Sequence, residues 1–126
     1  MRKLLLDTQV LLWLNGIDNK LKPSEAKEIK NNKLYVSIVS YWEIAIKSRN
    51  GNLDIKMSIN DFMLKNEANN IQTLNISSKH LRQMEILPKR AKHNDPFDHL
   101  IIATSLGEKI NLKSYDQKVY QYFYEI

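Results

Sequence analysis

Four acidic residues in this 126-residue chain stand where alternating strands and helices would gather them. Asp7 ends the apolar run Lys3-Leu4-Leu5-Leu6, and Asp116 follows the β-prone stretch Ile110-Asn111-Leu112-Lys113-Ser114. Asp98 and Glu43 each fall in the first turn of an expected helix. Ligands of open parallel sheets bind beyond the carboxyl ends of the strands, so the four side chains can meet at one sheet edge. Carboxylates brought together raise one another's pKa unless a cation lies among them. Oxygen donors in a chain without cysteine suit Mg²⁺ or Mn²⁺ better than zinc. An ion of that kind acidifies a bound water and steadies charge on a phosphoryl oxygen, so the implied chemistry is phosphodiester hydrolysis.

Each acid also has a plain structural role. Asp7 can cap the helix that follows it. Glu43 has capping-box spacing from Ser40. Asp98 favours the positive end of its helix, worth roughly 0.3–1 kcal/mol. Asp116 suits a turn. Singly these roles are good explanations; it is the joint placement at one edge that favours a metal site. Asp95 before Pro96 reads first as a helix cap and second as a ligand. His93 and His99 stay open between ligand, proton carrier, substrate contact and no role at all. His80 reads as structural, and Trp13 and Trp42 as core.

The elements that would position these groups follow from pattern and punctuation. Strands are expected over residues 3–7, 34–37, 71–76 and 110–114, with a last edge strand within residues 120–126. Helices are expected over residues 8–14, from Pro23 to residue 30, from Ser40 to Arg49 with Gly51 as a left-handed stop, from Ser58 to residue 69, from Ser77 or Ser78 to before Pro88, and from Asp95-Pro96 onward. The run Leu100-Ile101-Ile102-Ala103 is apolar on nearly every side, as in a helix pressed into a core. Strands separated by helices predict a mostly parallel sheet of four or five strands covered on both faces, an α/β/α sandwich.

Length and composition predict one domain spanning residues 1–126. The absence of cysteine excludes disulfides and thiol nucleophiles and fits a cytoplasmic location. Asp7 interrupts the N-terminal apolar run too early for a signal peptide, and no stretch approaches the roughly 20 apolar residues of a membrane span. A net charge of +5 is a weak argument for a polyanionic partner.

Leu4-Leu5-Leu6-Asp7-Thr8, Ser37-Ile38-Val39-Ser40-Tyr41-Trp42-Glu43-Ile44-Ala45-Ile46-Lys47, Leu87-Pro88, His93-Asn94-Asp95-Pro96-Phe97-Asp98 and Ser114-Tyr115-Asp116 together resemble the PIN-domain toxins of the VapC type, in order and over essentially the whole chain. The resemblance implies a Mg²⁺- or Mn²⁺-dependent ribonuclease cutting single-stranded or loop RNA, paired with an antitoxin protein and usually dimeric. It implies that Asp7, Glu43, Asp98 and Asp116 are the metal-binding acids, with Thr8 and Ser114 near the site. His99 departs from the arginine usual after the third acid, and Gln9 and Ser114 replace a usual histidine and threonine.

Under that reading the basic loop Lys89, Arg90, Lys92 and His93 would hold RNA phosphates near the acids, with Lys47, Arg49 and His99 extending the track; a merely solvated surface is the plain alternative. Two other functions fit less of the pattern. A PIN-like RNA-binding module without catalysis would use the acids as caps. A receiver-like phospho-acceptor domain would want adjacent early acids and a lysine after a late strand, for which Lys113 is a poor substitute.

Overall fold

Leu4-Leu5-Leu6 is apolar on both faces, as an interior strand covered by helices on both sides must be. In the computed structural model this is β1 (Lys3–Leu6), where Leu5 and Leu6 are fully buried. Residues 2–89 and 95–124 are described; Arg90, Lys92 and His93 of the expected basic track lie outside them.

The elements run β1, α1 (Thr8–Leu14), α2 (Pro23–Lys30), β2 (Lys33–Ser37), α3 (Ile38–Arg49), α4 (Ile59–Ala68), β3 (Ile71–Leu74), α5 (Ser78–Glu85), α6 (Pro96–Glu108), β4 (Asn111–Lys113) and α7 (Gln117–Tyr124). All strand pairs are parallel, in the order β3-β2-β1-β4. The chain builds outward from β1 to β3 and then returns to the far side of β1, so the order reverses between β1 and β4. That gap is the topological switch point, where doubly wound sheets bind ligands.

Two apolar clusters sandwich the sheet. Leu4, Leu6, Leu34, Val36 and Ile71 face α1, α2, α4 and the Tyr41–Ile44 side of α3, with Phe62 at the centre. Leu5, Tyr35 and Leu112 face α6 and α7 through Ile101, Ile102, Val119 and Tyr122. Each fully buried Leu or Ile contributes roughly 1.5–3 kcal/mol relative to exposure. The α/β/α sandwich with a four-stranded parallel sheet is as expected. Among the described residues no helix is long and apolar enough to cross a membrane.

Three expectations are corrected. The expected last edge strand is α7: Val119, Tyr122 and Phe123 recur at helical spacing and pack on α6, so the period of burial overrides the β propensity of the tyrosines. The helix expected from Ser40 begins two residues earlier, at Ile38. Ser37 is its N-cap, accepting the N–H of Val39 at 3.0 Å, because β2 turns into α3 without a loop. Glu43 is therefore in the second helical turn, and Ser40 is buried inside. Trp42 is not core but 53% exposed, leaning edge-on against Phe97 at 4.9 Å.

Candidate active site

Asp7 is the first residue past β1, and its backbone N–H donates to the Lys113 carbonyl at 3.0 Å, closing the seam with β4. Its carboxylate caps α1 and faces the switch point. Oδ1 accepts the Thr8 N–H at 2.8 Å and Oδ2 accepts the Ser114 hydroxyl at 2.6 Å. Ser114 Oγ in turn accepts the Asp116 N–H at 3.1 Å, so one hydroxyl links the two acid-bearing strand ends. Tyr120 clamps Ser114 from behind, donating to its carbonyl and accepting its N–H.

The other acids arrive on helices. Asp95 caps α6 by accepting the N–H of Phe97 at 2.9 Å and of Asp98 at 3.5 Å, fixing where the first turn presents Asp98. A cap of this type is worth about 1 kcal/mol. Glu43 is buried on α3, with Oε2 held by Lys47 Nζ at 2.8 Å and Oε1 buried without a hydrogen-bond partner among the described residues. Asp116 is exposed, and its carboxylate accepts the Lys118 N–H at 2.9 Å at the start of α7. Thr8 Oγ1 donates to Ser40 Oγ at 2.9 Å, which locks α1 to α3 beneath the acids.

A cleft of about 330 Å³ is lined by Asp7, Thr8, Glu43, Lys47, Asp95, Asp98 and Asp116, together with Gln9, Trp13 and Tyr115. Burial pushes the Asp7 carboxyl up to about 6; the charges of Asp98 and Glu43 push the same way, against the bonds from Ser114 and Thr8. Hydrogen bonding to Glu43 raises the Lys47 ammonium, helped by the charges of Glu43, Asp95 and Asp98. A second hollow, about 760 Å³ at the strand starts, is lined by Lys30, Lys33, Lys65 and several asparagines and holds no carboxylate. Of these two hollows, the switch-point cleft is the one that gathers acids.

A PIN domain family model matches residues 4–123. The chain belongs to the PIN-domain family. Among solved structures, a chain of the crystal structure of VapBC2 from Rickettsia felis bound to a DNA fragment from their promoter superposes on this PIN domain with a TM-score of 0.72. The alignment covers 95% of this chain and 92% of that one at 17% identity, a likeness of fold. Among curated proteins no match is found.

In this PIN domain the four acids of the sequence reading, with Asp95, Thr8 and Lys47, share one cleft. They share it without converging: among the described residues no three acidic or imidazole side chains stand close enough to hold one ion. In kind the donors still fit a hard divalent cation, since they are all carboxylates, one is desolvated and one keeps a buried oxygen unbonded. Arg49, Lys89 and His99 do not line the cleft. His99 lies instead against α7, its Nε2 3.3 Å from the Tyr122 hydroxyl and the rings edge to face. Sequence reasoning missed Tyr115, Tyr120 and Ser40. Tyr115 lies between the two last expected strands, Tyr120 opens the expected edge strand, and Ser40 has the spacing of a cap that it does not form.

Proposed function

We propose that this PIN domain is a Mg²⁺- or Mn²⁺-dependent endoribonuclease acting as the toxin of a VapC-type toxin–antitoxin pair. The observation that carries the reading is the cleft itself: four carboxylates from four separate elements line the switch point of the sheet, and Asp7 bears a raised pKa that repulsion from Asp98 and Glu43 helps to cause. Family membership supports nuclease chemistry, and the likeness to a chain of the VapBC2 complex supports an antitoxin partner. A homodimer in the cytoplasm belongs to the same proposal.

Asp7, Glu43, Asp98 and Asp116 would hold the ion or ions. A bound divalent ion supplies an acidified water and charge neutralisation at the scissile phosphate. The chain's own residues do the rest. Ser114 and Thr8 fix both oxygens of Asp7, so that carboxylate is oriented before any ligand arrives. Asp95 sets the direction of Asp98. Lys47, which lines the cleft, holds Glu43 meanwhile and would meet an RNA phosphate once that carboxylate is otherwise engaged. Cleavage by this route needs no covalent enzyme intermediate.

A catalytically silent RNA-binding module is the second reading, favoured by the separation of the acids and by the Lys47–Glu43 pair. The purified protein separates the two when incubated with single-stranded RNA in Mn²⁺ and in chelator. Cleavage in Mn²⁺ alone is expected; binding without products in either condition would favour the silent module.

A further inference from the structure

Tyr115 stands between two hollows, the acidic cleft and a smaller one of about 200 Å³ whose walls include Arg2, Glu25 and Lys113. It is 41% exposed, yet it is held from three directions. Its hydroxyl donates to Glu25 Oε2 at 3.0 Å, and Glu25 is itself fixed by the Lys22 N–H at 2.9 Å. Lys113 Nζ lies 4.8 Å from the ring centroid. The Trp13 ring lies 5.6 Å away, inclined at 51°, and lines the same cleft.

Tyr115 is partly buried against Trp13 in a strand-to-helix connection, yet it still lines the acidic cleft. Anchoring does serve binding, because an aromatic ordered in advance loses little entropy when a ligand arrives. The ligand surface it fits is flat, apolar and uncharged. Phosphate can approach the acids beside Tyr115 only with a cation among them, whereas a nucleobase presents a neutral π face to the ring itself. Bases in a duplex are stacked on one another, so only an unpaired base offers that face. Stacking of this kind is tolerant of base identity.

We propose that Tyr115, with Trp13 beside it, is a stacking platform for one unpaired nucleobase of an RNA strand whose neighbouring phosphate lies at the acids. This inference rests on the ribonuclease reading and assigns it a subsite.

The test uses the full chain carrying Asp98→Asn, so that RNA survives, with Mg²⁺ and short single strands bearing 2-aminopurine at successive positions. One position should be quenched on binding. Tyr115→Leu in the same background should abolish that quenching and weaken RNA binding about tenfold. Tyr115→Phe keeps the ring and loses the Glu25 bond, and should stay within about threefold of the parent. Unchanged quenching and affinity in a folded Tyr115→Leu protein would overturn the platform. Should the leucine variant fail to fold, the position scan on the parent decides: quenching confined to one position supports the proposal, and uniform fluorescence overturns it. A protein that cleaves RNA in Mn²⁺ but quenches no position keeps the nuclease reading and loses the platform. One that neither binds nor cleaves RNA loses both.

Discussion

Lys47 reaches back one turn of α3 to hold Oε2 of Glu43 at 2.8 Å, while Oε1 of the same carboxylate is buried with no hydrogen-bond partner among the described residues. The pair is lopsided, with the glutamate side chain 7% exposed and the lysine 52%, so water screens one partner and not the other. Replacing Lys47 by methionine leaves a buried carboxylate without its counter-charge. In chelator this should cost roughly 1–2 kcal/mol, between the values for an exposed ion pair and a buried one. Saturating Mn²⁺ should then stabilise Lys47→Met more than it stabilises the parent, because the ion supplies the missing charge. Thermal melts with and without Mn²⁺ measure both effects. Equal Mn²⁺ shifts in the two proteins would mean that the lysine and the ion do not share Glu43.

Asp7 makes a second prediction through pH. Its pKa lies at about 6 in the folded chain against an ordinary 3.8, chiefly because burial disfavours the charged form. The folded state therefore binds the proton more tightly than the unfolded one. Stability from this group is fully present below about pH 4 and is lost as pH rises through about 6, a swing on the order of 3 kcal/mol without divalent ions. Asp7→Asn should remove most of that dependence, raise the neutral-pH melting temperature in chelator and abolish cleavage. Ser114→Ala deletes the largest opposing contribution and should move the transition to higher pH. Melts in chelator between about pH 4 and pH 8 decide the matter; a profile for Asp7→Asn that parallels the parent would reject the assignment.

His80 carries a purely structural prediction. It is 1% exposed, its Nδ1 accepts the Ser77 N–H at 3.1 Å, and its Nε2 lies 2.9 Å from Glu108 Oε1. Those partners fit a ring with its proton on Nε2, tying the start of α5 to the end of α6. A Cβ on Gly107 would come within 3.3 Å of the ring, so the space is already filled. His80→Ala should cost roughly 2–3 kcal/mol from the lost packing and the unpaired Ser77 N–H. Urea unfolding measures the loss, while the folded fraction should cleave RNA at the parental rate.

What was legible in the residues was the part ruled by local chemistry. Asp95-Pro96 marked the start of α6, Ser58 capped α4, and Gly51 took the left-handed conformation after α3 at φ +76°. Alternation of strands and helices was enough to place Asp7 and Asp116 at one sheet edge. What was not legible depended on contacts between distant residues. Ser40 has cap-like spacing to Glu43, but its hydroxyl accepts from Thr8, thirty-two positions away in sequence. The tyrosines of α7 look like strand until Val119 and Tyr122 are seen packed on α6. Trp42 reads as core by composition, yet burial of α3 is settled by Tyr41 and Ile44 beside it. His99 reads as a phosphate contact from its neighbour Asp98, whereas one residue along a helix turns the side chain by about 100°, here toward Tyr122.

If the switch-point acids make this PIN domain a metal-dependent ribonuclease, as proposed, Asp98→Asn tests it most directly. Asparagine keeps the size and the helix start while removing one negative charge from the cleft. The expected result is a folded protein whose cleavage of single-stranded RNA in saturating Mn²⁺ falls by about 100-fold or more, near 3 kcal/mol of transition-state stabilisation. Cleavage at the parental rate by folded Asp98→Asn protein would contradict it.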